Sequence, residues 1–419
     1  MRFTRREALI SAGVLASGAA LAAKADQKLQ DPAPNATDRK QQNTHVDEVS
    51  TGTRLACLAD YETASRQRIP KMFWEFYNGA AGDELTMRWN VEAYQRMRLK
   101  PRVLVDVSAL DTRVTLFGQE HAFPILLAPT AYQKLAHPEG EIATARGANT
   151  AAATMVLSTS STTAVEDVAR SAKRPLWFQL YVQRDRGFTR ELVQRAEAAG
   201  CQALCLTVDT PVAGARNRED RAEFRLPSGF ELPNLRGLKV DGVDVAKSGT
   251  GHLALGNSIY NAITDPSLAW KDVEWLRSFA KIPLLLKGVL NPDDADHALK
   301  SGASGLIVSN HGARNLDTVP PTIEALPLIA EQVSGRVPVL VDGGIRRGTD
   351  VLKALACGAN AVLIGRPYVY GLGVAGEDGV ARVVEILQRE FKMAMALTGR
   401  PTIASIDRSV IWASPLGRG

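Results

Sequence analysis

Residues 309–317 read SNHGARNLD and set a histidine, an arginine and an aspartate directly after the apolar run GLIV. His311 is the best general base in the chain, because an imidazole titrates near working pH. Asp209 ends another apolar run, ALCLTVD, and is a candidate to orient that imidazole and stabilise its charged form. Arg216 and Arg314 form a candidate carboxylate clamp, since a guanidinium binds a carboxylate through two parallel hydrogen bonds. Tyr181 can bind a substrate hydroxyl or carboxylate. This set points to proton abstraction from a small carboxylic acid.

A second set of residues suits an anionic cofactor. DGGIRRG contributes Asp342, Gly343, Gly344 and Arg346, and IGRP contributes Gly365 and Arg366. Glycines let backbone N–H groups approach a phosphate, and an arginine adds charge. Gln179, Thr207 and Lys287 end three consecutive apolar runs and suit the pyrimidine edge of a flavin, where a lysine stabilises negative charge on the reduced ring. Pro129, Thr130, Ala131, Ser158 and Ser309 end further runs. The cysteines Cys57, Cys201, Cys205 and Cys357 show no metal-ligand spacing and read as packed thiols, so no metal is expected.

These residues need elements to bring them together. Eight apolar runs, at 124–131, 154–161, 176–182, 203–211, 283–288, 305–312, 337–344 and 361–367, alternate with helix-like segments. Near-continuous apolar strands between helices mean a parallel sheet covered on both faces. Eight such units predict an α/β fold, a (β/α)8 barrel with its site at the C-terminal strand ends. An open doubly wound sheet is the alternative, and no GxGxxG follows the first strand. A helical stretch at 55–97 precedes the barrel. The fourth connection, 212–267, is long enough to have a function of its own.

With 419 residues, 45% hydrophobic and 23% charged, the chain has ordinary globular composition. A net charge of +5 without a basic cluster interleaved with aromatics argues against nucleic acid. Arg5 and Arg6 precede an uncharged apolar stretch at 9–23, and Ala23-Lys24-Ala25 has a small-x-small cleavage pattern. Residues 1–25 therefore read as a twin-arginine-type signal peptide, with export to the periplasm expected, and the polar residues 26–53 as a flexible tether.

Taken together, SNHGARNLD, LTVDTP, PTAYQKLAHPEGE, FQLYV, LLLKG, DGGIRRGTDVLKALACGA and IGRP resemble the FMN-dependent 2-hydroxy acid oxidising family over residues 54–410. Glycolate oxidase, lactate oxidase and the L-lactate and mandelate dehydrogenases belong to it. The resemblance implies FMN as cofactor, held by Pro129, Thr130, Ala131, Ser158, Gln179, Thr207, Lys287, Ser309, Asp342, Gly343, Gly344, Arg346, Gly365 and Arg366. It implies oxidation of an (S)-2-hydroxy acid to the 2-oxo acid, with His311 as base, Asp209 its partner, Arg216 and Arg314 on the carboxylate, and Tyr181 in the active site. Oxygen, a quinone or a cytochrome would take the electrons, and a homotetramer is expected. Phe76 stands where the family carries a substrate-binding tyrosine, and Ser160 where some relatives carry an aromatic ring. Those departures, with Tyr132 in PTAYQ, imply a wider pocket for a larger, apolar side chain. An FMN-barrel isomerase or nucleotide-type enzyme, and a flavin binder without turnover, are the competing readings.

Overall fold

The eight apolar runs form eight short parallel strands: β3 (Ile125–Leu127), β4 (Thr154–Ser158), β5 (Trp177–Leu180), β6 (Leu204–Thr207), β9 (Leu284–Val289), β10 (Gly305–Val308), β11 (Val339–Val341) and β12 (Ala361–Ile364). In the computed structural model they close in the order β10-β11-β12-β3-β4-β5-β6-β9, the barrel that the alternation predicts. The structure describes residues 55–240, 243–247, 259–261 and 263–412. The expected signal peptide and tether lie outside the described residues. The four cysteines are free thiols, and burial pushes Cys201 and Cys205 up to about 12.

The two-residue period of a strand explains how one barrel has an apolar foot and a polar mouth. The packed interior holds Val156, Trp177, Cys205, Leu285, Ile307 and Leu340. Two residues further along the same strands stand Ser158, Gln179, Thr207, Lys287, Ser309 and Asp342, on the same inward face at the C-terminal end. A hairpin of β1 (Val114–Leu116) and β2 (Gln119–His121) closes the foot, where Leu116 joins the core cluster and Phe117 packs against it.

The helical stretch at 55–97 divides into α1 (Leu58–Arg68), α2 (Lys71–Asn78) and α3 (Leu85–Arg96). Pro70 bars helical backbone at Ile69 and so separates α1 from α2. Helices α4 (Gly140–Thr150), α5 (Val165–Ser171) and α6 (Arg186–Ala198) follow β3, β4 and β5, and the long fourth connection carries α7 (Asn217–Arg221) and a small hairpin of β7 (Lys239–Val240) and β8 (Val243–Asp244) before α8 (Trp270–Arg277). It is tied to the N-terminal extension, because Arg218 of α7 pairs with Glu75 at 2.5 Å and with Glu84 at 3.5 Å. Gly214 lets this connection pass close to the loop after β10, since a Cβ there would lie 2.3 Å from the Arg314 carbonyl oxygen.

Candidate active site

β10 stops at Val308, and the chain turns through His311, Gly312 and Ala313 with φ of 56°, 61° and 64°. Three successive left-handed residues are strained for any side chain but glycine's, at about 1–2 kcal/mol each. Hydrogen bonds offset that strain. The Ser309 hydroxyl accepts from the His311 amide at 3.1 Å, and the Asn310 side chain accepts from the Ala313 amide at 3.1 Å. Asn310 also pairs reciprocally with Asn90 of α3 at 3.0 and 2.9 Å. Asp317 accepts from the amides of Asp83, Leu85 and Thr86 at the start of α3. SNHGARNLD is thus sewn to the N-terminal extension at both ends.

His311 Nδ1 lies 2.9 Å from Asp209 Oδ1, so the fold brings these two residues together. Asp209 stands behind the imidazole rather than on the cavity wall, pressed against Gly288, where φ is 114° and a Cβ would lie 2.5 Å from that of Asp209. Asp209 fixes the imidazole tautomer, and Thr210 braces Asp209. The Thr210 hydroxyl accepts from Asn315 Nδ2 at 2.8 Å and lies 3.1 Å from Asp209 Oδ1. An ionised carboxylate can only accept, so Nδ1 of the neutral ring donates to Asp209, which leaves Nε2 with a lone pair. Burial holds the imidazole below its ordinary value, Asp209 opposes this, and Lys287 and Arg216 add to the lowering. Asp209 is raised by burial but held low on balance by His311 and Lys287. Both shifts agree with a neutral base beside an ionised carboxylate.

Arg216 and Arg314 line the same cavity, and a residue not singled out from sequence joins them. Glu219, one turn after Arg216 on α7, is buried and lies 3.3 Å from Arg216 Nη1 and 2.8 Å from Arg314 Nη2. Arg216 Nε also donates to the Arg314 carbonyl at 3.2 Å, and Arg314 Nη1 donates to the carbonyls of Phe76 and Gly79 at 2.5 and 3.0 Å. Among the described residues, Arg216 Nη2 and Arg314 Nε have no protein acceptor, so each guanidinium keeps a donor for a bound carboxylate. Burial and the neighbouring Arg216 lower Arg314 to about 10, which Glu219 partly counters. Tyr181 lines the cavity and is pushed up to about 12 by burial and Asp209, so it keeps its proton at neutral pH.

Phe76 lines the cavity without a polar group to offer. Its ring stacks on Phe224 at 4.6 Å, tilts against Tyr132 at 5.4 Å, and carries the Arg314 guanidinium 4.9 Å above it. Tyr132 and Ser160 are buried outside the lining, with the Ser160 carbonyl accepting from the Tyr132 amide at 3.2 Å. The expected widening at Ser160 is therefore not found. Phe76 and Tyr77 of α2 line the cavity instead, with Phe224 of the long connection stacked on Phe76.

The remaining strand ends make a polar floor. Gln179 accepts from Ser158 at 3.1 Å and donates to Thr207 at 3.0 Å, which leaves Thr207 its own hydroxyl hydrogen to give. Lys287 donates to Ser309 at 2.7 Å and pairs with Asp342 at 3.0 Å. Burial alone would lower Lys287, but Asp342 and Asp209 outweigh it and raise the ammonium. Ser309 is a support behind Lys287 and does not line the cavity. Pro129, Thr130, Ala131, Gly343, Gly344, Arg346, Gly365 and Arg366 all line it. The Arg366 guanidinium donates to the carbonyls of Tyr77, Gly79 and Gly312 at 2.8–3.0 Å. Three of its five N–H hydrogens thereby brace the N-terminal extension, and two are left over. Arg346 is bonded through Nη1 only to the Ile345 carbonyl and keeps more of its donors unspent.

This floor fits a flavin nucleotide. Asp342 Oδ1 is buried without a partner, Thr207 and Lys287 offer donors beside it, and Gly365 opens its backbone, since a Cβ there would meet only Ala128 at 3.9 Å.

The family model for FMN-dependent dehydrogenases matches residues 65–413. The chain is 46% identical to a 2-hydroxyacid oxidase of Dictyostelium discoideum, over 85% of this chain and 89% of that one. It is also 46% identical to an L-lactate oxidase of a Nostoc species, over 84% of this chain and 97% of that one. A crystal structure of mandelate oxidase with benzoyl-formic acid superposes with a TM-score of 0.74 at 40% identity, covering 84% of this chain and 97% of that chain. With the barrel, the polar floor and these likenesses in agreement, the chain belongs to the FMN-dependent 2-hydroxy acid oxidase family and is an oxidoreductase with FMN as its cofactor.

Proposed function

We propose that this enzyme oxidises an aryl-substituted (S)-2-hydroxy acid to the 2-oxo acid, with oxygen as final electron acceptor. One observation carries the reading: His311, neutral and with a free Nε2, shares a cavity with the Arg216–Arg314 pair and the apolar ring of Phe76. Forming the 2-oxo acid removes two electrons and two hydrogens from the substrate. FMN, when bound, supplies the two-electron acceptor. Arg216 and Arg314 hold the substrate carboxylate, and Tyr181 donates its O–H nearby. His311 takes one hydrogen as a proton at Nε2. The imidazolium so formed is stabilised by Asp209, whose carboxylate is already 2.9 Å from Nδ1.

Phe76 supports the aryl side chain, because glycolate would leave that wall bare while a phenyl ring fills it. The likeness to mandelate oxidase supports the same choice, and the oxidase names of the relatives support oxygen over a quinone or cytochrome. Export through the paired arginines Arg5 and Arg6, and assembly as a homotetramer, complete the proposal.

Anaerobic mixing tests it. (S)-mandelate should bleach the bound flavin at least about tenfold faster than glycolate, and admitting oxygen should restore the colour. No bleaching by any 2-hydroxy acid would overturn the reading. Cell fractionation with Arg5 and Arg6 changed to lysine tests export, with the protein expected to stay in the cytoplasm.

A further inference from the structure

Arg216, Arg314, Tyr181, His311 and the flavin floor account for nearly every polar group of the cavity. Asn261 remains. It sits near the end of the long fourth connection, is only 3% exposed, and lines the cavity.

Its orientation is set by the backbone around it. Asn261 Oδ1 accepts from the amides of Ile263 and Thr264 at 2.9 Å each and from the Thr264 hydroxyl at 3.1 Å. An amide turned the other way would set its NH2 against two backbone N–H donors, so Oδ1 must face the turn. Nδ2 is then the unspent end, and it has no acceptor among the described residues. Asn261 lines the cavity, so a bound molecule there can receive that unspent hydrogen bond.

The tetrahedral substrate carbon says what that is. In the proposed function the carboxylate goes to the two arginines, and the hydroxyl and the hydrogen, both lost in the reaction, face His311 and the flavin. The side chain takes the fourth direction. The lining not yet given a role includes Phe76, Ala213 and Asn261. Ala213 is tied to the same stretch, since its amide donates at 3.4 Å to the carbonyl of Ile259, two residues before Asn261. Ala213 is small and leaves room there, whereas Phe76 supplies the apolar face.

We propose that Asn261 determines specificity by donating a hydrogen bond to an acceptor atom on the substrate side chain. The preferred substrates are then aryl 2-hydroxy acids carrying an oxygen on the ring, not purely hydrocarbon ones. This rests on the proposed function and sharpens its substrate class.

The test uses ring substituents matched in size: (S)-mandelates bearing methoxy, an acceptor, or ethyl, its apolar equivalent, at the 3- or 4-position. With the FMN-loaded enzyme, kcat/KM for the better methoxy acid should exceed that of the matching ethyl acid by about tenfold or more. Asn261→Asp keeps an oxygen for the amides of 263 and 264 but removes the donor, so it should reverse that preference, and Asn261→Leu should bring the ratio close to one. The variants' FMN content and unfolding temperature show whether the turn survives. A methoxy-to-ethyl ratio near one in the parent enzyme, or one unchanged in Asn261→Asp, overturns the assignment. So does turnover of mandelate but of none of the substituted acids, since the side chain would then not extend to Asn261. If mandelate itself fails to bleach the flavin, the proposed function falls first, which separates the two failures.

Discussion

The barrel buries one histidine near each of its two ends, and they differ in what surrounds them. His121 at the foot and His311 at the mouth are both held below the ordinary imidazole value, chiefly by burial. At the foot, His121 Nδ1 meets the Thr154 hydroxyl at 3.0 Å, Nε2 has no partner, and Arg174 lowers the ring further. At the mouth, a carboxylate 2.9 Å away opposes the effect of burial and can hold the positive charge that proton transfer creates. Burial alone makes a neutral histidine. Burial with a carboxylate, facing a cavity, makes a base.

The largest test of this contrast is His311→Ala, which should slow anaerobic flavin reduction by about 10³–10⁴-fold while the yellow colour remains. Unimpaired reduction would show the base to be elsewhere. Asp209→Asn should follow at about 10²–10³-fold. Because Asp209 raises His311, its loss should also move the acid limb of the kcat/KM profile to lower pH. A limb that stays in place would break the pairing. Next comes Glu219→Gln, which removes the carboxylate between the two clamp arginines. KM should rise about tenfold, corresponding to one hydrogen bond to a charged group. Since Glu219 partly supports the charge of Arg314, the loss of affinity at high pH should begin below about 10.

The smallest effect belongs to the foot. Thr154→Val should cost about 1–2 kcal/mol of stability, as a buried imidazole loses its partner, and leave flavin reduction unchanged. Stability should fall as pH drops below about 6.5, because both histidines are depressed in the folded state and the unfolded chain binds more protons in that range. Activity should follow His311 alone. A shifted activity profile in Thr154→Val would mean that the two ends are coupled.

Much of the mouth was legible without coordinates. Strand ends in a barrel of this kind converge, so Ser158, Gln179, Thr207, Lys287 and Asp342 could be gathered from the pattern of apolar runs alone. Glu219, Asn315 and Asn261 were not found that way. Glu219 gave a faint signal, three positions after Arg216 on a helix, where a glutamate more often faces solvent. Asn315 lies inside SNHGARNLD, yet its contact with Thr210 spans 105 positions. Asn261 lies in a long connection without periodicity, so only the folded chain shows which end of its amide is spent.

The sequence by itself determined the barrel, its polar mouth and the family's chemistry, because those follow from local hydrophobic period and from residue types at strand ends. The tertiary structure decided how the charges are used. Arg366 read only as a cofactor contact, and three backbone carbonyls of other segments give it a bracing task as well. Phe76 looked like a lost contact, and Phe224, 148 positions away, made it part of an aromatic wall. A side chain's type is written in the chain, but its role depends on which distant backbone and side-chain groups have already claimed its donors, acceptors and surface.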